Sequence, residues 1–220
     1  MFAKIKYYIY IYSVNTILIK LWIAIIIIKN NGFGIFSKKK KICIIYEPRF
    51  RYIIDELINS GYSVIFVPRQ IFEYSFLYRL KPYLINSRDT KLGEYCLTYY
   101  SEYKNEINNY KKDLVKISND LKSFINSDKI ILTKINDDWT IELVTVLTAT
   151  GWQTIVYDRE GTVTPKRLEY VPEILSKFDI RCSAVITYND IHSEFFQKVK
   201  EYGHMQGDII VNGNQLSDYW

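Results

Sequence analysis

The stretch KICIIYEPRFRYIIDELINSGYSVIFV, residues 41–67, decides how the rest of the chain is read. KICIIY (41–46) is a short apolar run with β-branched residues, the pattern of a buried strand. Residues 49–60 place Ile53, Ile54, Leu57 and Ile58 on one helical face, and Gly61 supplies a C-terminal stop. YSVIFV (62–67) is a second apolar run, ended by Pro68. Strand, helix and strand in so short a span are the opening of a βαβ crossover, which sets the second strand parallel to the first.

The alternation continues outward from that unit. Residues 70–81 read as a helix with Phe72, Phe76, Leu77 and Leu80 on one side. Residues 102–126 form the clearest helix, with Ile107, Tyr110, Leu114, Ile117, Leu121 and Phe124 at steps of three and four. KIILT (129–133) is the next strand, and Asp138 can cap a helix that runs to Thr150 and stops at Gly151. QTIVY (153–157), AVIT (184–187) and DIIV (208–211) are further strands, with helices expected near 168–178 and over 190–202. No repeat or low-complexity linker interrupts the series. The expected fold class is α/β: a doubly wound, Rossmann-like, mostly parallel sheet.

Charge divides the chain differently. Residues 1–41 carry eight lysines and no acidic residue; of 29 basic residues in all, the other 21 face 24 acidic ones. The basic excess belongs to a leader, 1–41, and not to the body, 42–220. That excludes a nucleic-acid-binding domain, whose basic footprint lies on the folded surface. A hydrophobic content of 48% with 16% aromatic residues excludes a disordered chain. Between Lys6 and Lys29 runs YYIYIYSVNTILIKLWIAIIII, interrupted only by Lys20. As a helix it would reach about 33 Å, enough for a hydrocarbon core of about 30 Å. Lys20 opposes insertion by about 2.5–3.5 kcal/mol, which the isoleucine run from 23 to 28 outweighs. The leader therefore reads as a membrane anchor, spanning or monotopic. An in-plane amphipathic helix or a buried hairpin is the rival, and Lys38–Lys41 oppose a cleaved signal peptide. Five lysines after the run against two before it put the body on the cytoplasmic side. Cys43, Cys96 and Cys182 are too far apart for a metal set or disulfide framework, and each reads as a small buried hydrophobe.

In a doubly wound sheet ligands gather outside the carboxyl ends of the strands. After the first strand come Glu47, a base or sugar-hydroxyl ligand, and Arg49, which can grip a phosphate through two donors. After QTIVY come Asp158, Arg159, Glu160 and Gly161, the densest polar cluster of the chain, with Glu160 as the foremost catalytic candidate and Asp158 beside it. After AVIT, Asn189 or Asp190 caps a helix, and His192 joins the binding candidates although a first-turn histidine is ordinarily a surface residue. After DIIV, Gly213 and Asn214 form a turn that allows close backbone approach by an anion. No GxGxxG or Walker-type loop is present, and neither a cofactor nor a metal is expected.

Taken together, Asp158-Arg159-Glu160-Gly161, Pro172-Glu173, the strand at 184–187 and Val211-Asn212-Gly213-Asn214 with Asp218 resemble the N-terminal half of GT-B-type proteins of surface-polysaccharide biosynthesis. The opening strand–helix–strand is similar to the start of that group, so the resemblance covers most of residues 40–220. It implies an acceptor-side half of a membrane-associated glycosyltransferase, with the donor domain missing or on another chain. Its partners would be a sugar nucleotide, a lipid-linked or glycan acceptor and a donor-domain protein. Sugar-nucleotide 2-epimerases share this half-fold but usually carry a histidine where this chain has Asp158. A truncated epimerase-like enzyme and a non-catalytic membrane adaptor are the alternatives.

Overall fold

The computed structural model describes residues 18–45, 51–80, 104–132, 138–157, 179–187, 189–202 and 205–212. In chain order these form α1 (Leu18–Asn31), a 3-10 turn (Gly32–Phe36), β1 (Lys41–Ile45), α2 (Arg51–Asn59), β2 (Ser63–Val67), α3 (Gln70–Arg79) and α4 (Lys104–Ile125). β3 (Lys129–Leu132), α5 (Asp138–Ala149), β4 (Gln153–Tyr157), β5 (Ile180–Thr187), α6 (Asp190–Glu201) and β6 (Met205–Val211) follow. The fold is α/β with a six-stranded parallel sheet in the order β2-β1-β3-β4-β5-β6, as the alternation implied. Compactness divides the chain into two units. One holds α1 to α4 with the start of β3, and the other holds the end of β3 with α5 to β6.

In the first unit β1 and β2 pair in parallel register, Lys41 with Ser63 through Ile45 with Val67. Gly61, at φ +86°, makes the turn between α2 and β2 that the sequence signalled. Ile107, Tyr110, Leu114, Ile117 and Leu121 of α4 are fully buried or nearly so, together with Ile125 rather than Phe124. Asp113, also on that buried face, accepts a bidentate pair from Arg79 of α3 (2.9 and 3.2 Å) and a hydrogen bond from Ser75 (3.0 Å).

α1 is an integral helix of this unit. It packs on α4 and β2, and Ile19, Ile23 and Ile27 are fully buried, with Trp22 tilted against Tyr74 at 6.2 Å. At its end the Asn31 side chain grips the outer edge of β2: Oδ1 accepts from the Phe66 amide at 2.6 Å, and Nδ2 donates to the Phe66 carbonyl at 2.8 Å. One amide thus stands where a further strand would pair. The opposite stripe, Leu18, Leu21, Ile25 and Ile28, is exposed, and so are Phe33 and Phe36 of the 3-10 turn. Residues 18–36 are long and apolar enough to cross a membrane, at a mean hydropathy of 1.5, yet only 28% of that window is buried. A core helix of that composition would be covered all round.

In the second unit β4 pairs with β5 and β5 with β6, all parallel. β5 and β6 begin earlier than the apolar runs AVIT and DIIV suggest. The reason is a bulge in β5 between Arg181 and Ala184, where Cys182 and Ser183 stand opposite Gly207 alone. Polar residues on both sides of the bulge break the apolar pattern. Gly207 has φ +143°, and a Cβ there would lie 2.7 Å from the Cys182 carbonyl oxygen and 2.8 Å from its sulfur. Before the backbone ladder of β4 and β5 takes over, side chains do its work: Ser183 Oγ accepts from the Thr154 amide, and Thr154 Oγ1 accepts from the Ser183 amide.

Two substitutions test this architecture by chemical denaturation of the full chain. Asn31→Ala removes both bonds to Phe66 and is expected to lower stability by about 1–3 kcal/mol. Gly207→Ala drives a methyl group into rigid backbone at an unfavourable φ and is expected to cost at least about 1–3 kcal/mol.

Candidate functional site

Glu47, Arg49, Asp158, Arg159, Glu160, Gly161, Gly213 and Asn214 all lie outside the described residues. Their strands end at Ile45, Tyr157 and Val211. β4, β5 and β6 are parallel, so the chain leaves Tyr157, Thr187 and Val211 at the same end of the second unit's sheet, the end where ligands of such sheets gather.

His192 is the described member of the candidate set, and its environment differs from expectation. It is 3% exposed, not a surface residue, and its ring lies 5.5 Å from Phe196 and 6.2 Å from Phe195. The inward face of α6 explains this, because His192, Phe195, Phe196 and Val199 share it. Asn189 caps that helix as expected, its side chain accepting from the His192 amide at 2.8 Å. Asn212 donates from its backbone to the Thr187 carbonyl at 2.8 Å, tying the ends of β5 and β6 together.

Sequence reading passed over Glu142, which α5 buries to 4% exposure beside Thr140, also buried. The signal was available: Glu142 is the lone charged residue in an otherwise apolar and threonine run over 140–149. Cys43 and Cys182 are buried as read, and burial pushes both thiols up to about 12, against smaller opposing effects from Ser127 and Lys41 on Cys43 and from Lys200 on Cys182. Neither can serve as a thiolate nucleophile at neutral pH. Among the described residues no cluster of His, Cys, Asp or Glu could hold a metal ion.

Among the described residues, a concave surface lies at the amino ends of β1, β2 and β3 in the first unit. Lys38, Lys39, Lys40, Lys41, Lys122 and Lys129 line an open cavity of about 790 Å³, against one carboxylate, Asp128. Its floor is well ordered by hydrogen bonds. Lys41 Nζ donates to the Ile125 carbonyl at 2.9 Å, closing the C-terminal end of α4, and Asn126 takes the left-handed conformation that ends the helix (φ 57°). Ser127 Oγ donates to the Lys41 carbonyl at 3.0 Å, and the Lys129 ammonium lies 5.8 Å from the Tyr62 ring centre. Leader lysines and body lysines therefore meet in one place, although they are separate in sequence.

No protein-family model, curated protein or solved structure matches this chain.

The buried thiols give a test with a defined sign. Folding keeps both protonated, so their contribution to stability is complete below the ordinary thiol value of 9.0 and is lost as pH rises from there through about 12. Iodoacetamide at pH 8.5 should leave Cys43 and Cys182 unmodified in the folded chain and label both in denaturant, as read by peptide mass spectrometry.

Proposed function

We propose that the protein is the acceptor-side domain of a glycosyltransferase-like enzyme of surface carbohydrate synthesis, seated on the cytoplasmic face of a membrane. The observation that carries the membrane part is the double-sided α1: one face completes the core of its unit, and the other presents Leu18, Leu21, Ile25 and Ile28 outward. With Asn31 fixed to the sheet edge and Lys20 3.5 Å from Asp120 of α4, the helix is held to the body along its length. That arrangement favours a helix lying in the interface over one crossing the bilayer, since a crossing helix would leave the face it covers. The eight lysines of residues 1–41, with no acidic residue among them, suit the anionic cytoplasmic leaflet.

The carbohydrate part is supported by the parallel sheet together with the GT-B-like motifs of residues 151–218. In this reading Glu160, with Asp158 beside it, takes the proton from an acceptor hydroxyl as its oxygen attacks the anomeric carbon of a sugar nucleotide. Glu47 orients the acceptor, Arg49 and Arg159 face the departing phosphate, and His192 holds the helix that follows the next strand. The GT-B resemblance implies a second α/β domain that contributes most of the contacts to the sugar nucleotide. Gly161, Gly213 and Asn214 let the backbone approach these ligands closely.

Two measurements test the two parts separately. Glu160→Gln should abolish sugar transfer in a reconstituted membrane system while leaving the thermal midpoint unchanged; full activity removes Glu160 from the mechanism. Leu21→Ser with Ile25→Ser should move the full chain from the membrane to the soluble fraction without unfolding it, because both side chains already face outward. Retention of that double variant on membranes would refute the in-plane helix.

A further inference from the structure

We propose that the lysine-lined cavity at the amino ends of β1, β2 and β3 is a lipid headgroup site that holds the phosphate of an anionic phospholipid. It rests on the membrane reading above and adds to it the class of lipid. The position comes first: ligands of a parallel sheet are processed at the carboxyl ends of its strands, and this cavity opens at the other end. The charge comes second. Six ammonium groups stand against one carboxylate, and among the described residues Lys38, Lys39 and Lys40 form no ion pair. Lys41 and Ser127 are bonded to backbone carbonyls, so the wall is fixed while the three exposed lysines are available to a ligand. A concentration of like charge repels itself until an anion neutralises it.

The neighbourhood then selects the source of the phosphate. Phe33 is 84% exposed and Phe36 64%, and the lysine run begins two residues later. They follow the exposed residues of α1 and precede the lysines along the chain, so exposed apolar side chains and ammonium groups succeed one another within residues 18–41. A free phosphate would account for the lysines and leave both phenylalanines unexplained. A phospholipid accounts for both, with its acyl region receiving the rings and its phosphodiester lying among the lysines.

The test uses the full chain and flotation with vesicles of phosphatidylcholine alone or mixed with phosphatidylglycerol. Binding should be tighter to the mixed vesicles. Each lysine near an anionic surface is worth roughly a fivefold change, so Lys38→Gln with Lys39→Gln and Lys40→Gln should lower that affinity by roughly a hundredfold and leave binding to phosphatidylcholine unchanged. Lys104→Gln with Lys112→Gln and Lys198→Gln removes the same charge outside the cavity and should change it far less. If the triple cavity variant fails to fold, each single variant should still show its fivefold loss. Equal binding of the native chain to both vesicle types overturns the headgroup site and leaves the membrane reading standing. Equal losses from the cavity and control triples also overturn it, because charge alone would then suffice. Displacement by micromolar glycerol 3-phosphate identifies a free-phosphate site and overturns the lipid assignment. Absence of binding to either vesicle overturns the membrane reading with it.

Discussion

The amide of Asn31 is the constraint on which the first unit depends. An edge strand of a parallel sheet presents unpaired N–H and C=O groups, and Phe66 of β2 would present both. One side chain, donating and accepting at once, satisfies them and at the same moment fixes the end of an apolar helix. With that end fixed, Ile19, Ile23 and Ile27 turn inward, each contributing about 1.5–3 kcal/mol relative to exposure. The outward direction of Leu21 and Ile25 then follows from helix geometry alone, since the two stripes lie on opposite faces. Packing, and not composition, therefore decides which half of the helix is left exposed.

The fold was legible because its signals are local and repeat. Each apolar run of β-branched residues bounded by a glycine or proline gave a strand, and the three-and-four spacing from Ile107 to Leu121 gave α4 to within two residues at its N-terminus. Failures came where structure departs from periodicity. β5 and β6 run longer than their apolar runs because Arg181 and Ser183 at the bulge stand where alternation would want apolar residues, and Gly207, a strand breaker by type, is the partner the bulge requires. His192 departs from its expected surface position for a related reason. Its polarity suggested a surface, whereas the face shared with Phe195, Phe196 and Val199 carries it inside.

The site was legible to a lesser degree. Sequence reading can say which loops follow which strands, and topology confirms that β4, β5 and β6 send theirs from one end. It cannot say which distant side chains converge, because convergence is set by the crossing of helices over the sheet. The lysines show the difference. Split by residue number, Lys38–Lys41 belong to a leader and Lys122 and Lys129 to a body, and the arithmetic of charge treats them as opposites. The parallel pairing of β1 with β2 and the end of α4 at Asn126 bring them around one cavity.

The bonds of Asn31 also join two events that are usually considered apart. A foreign strand that adds to the free edge of β2 must first expel the amide from Phe66. Once expelled, it no longer holds the last turn of α1, and the turn carrying Phe33 and Phe36 loses its fixed support. On the proposed in-plane seating of α1, strand addition at that edge and seating on a bilayer compete for one side chain. Under that proposal a strand that pairs with β2 would weaken membrane seating from the far side of the helix, and thermodynamic linkage makes such an antagonism equal in both directions.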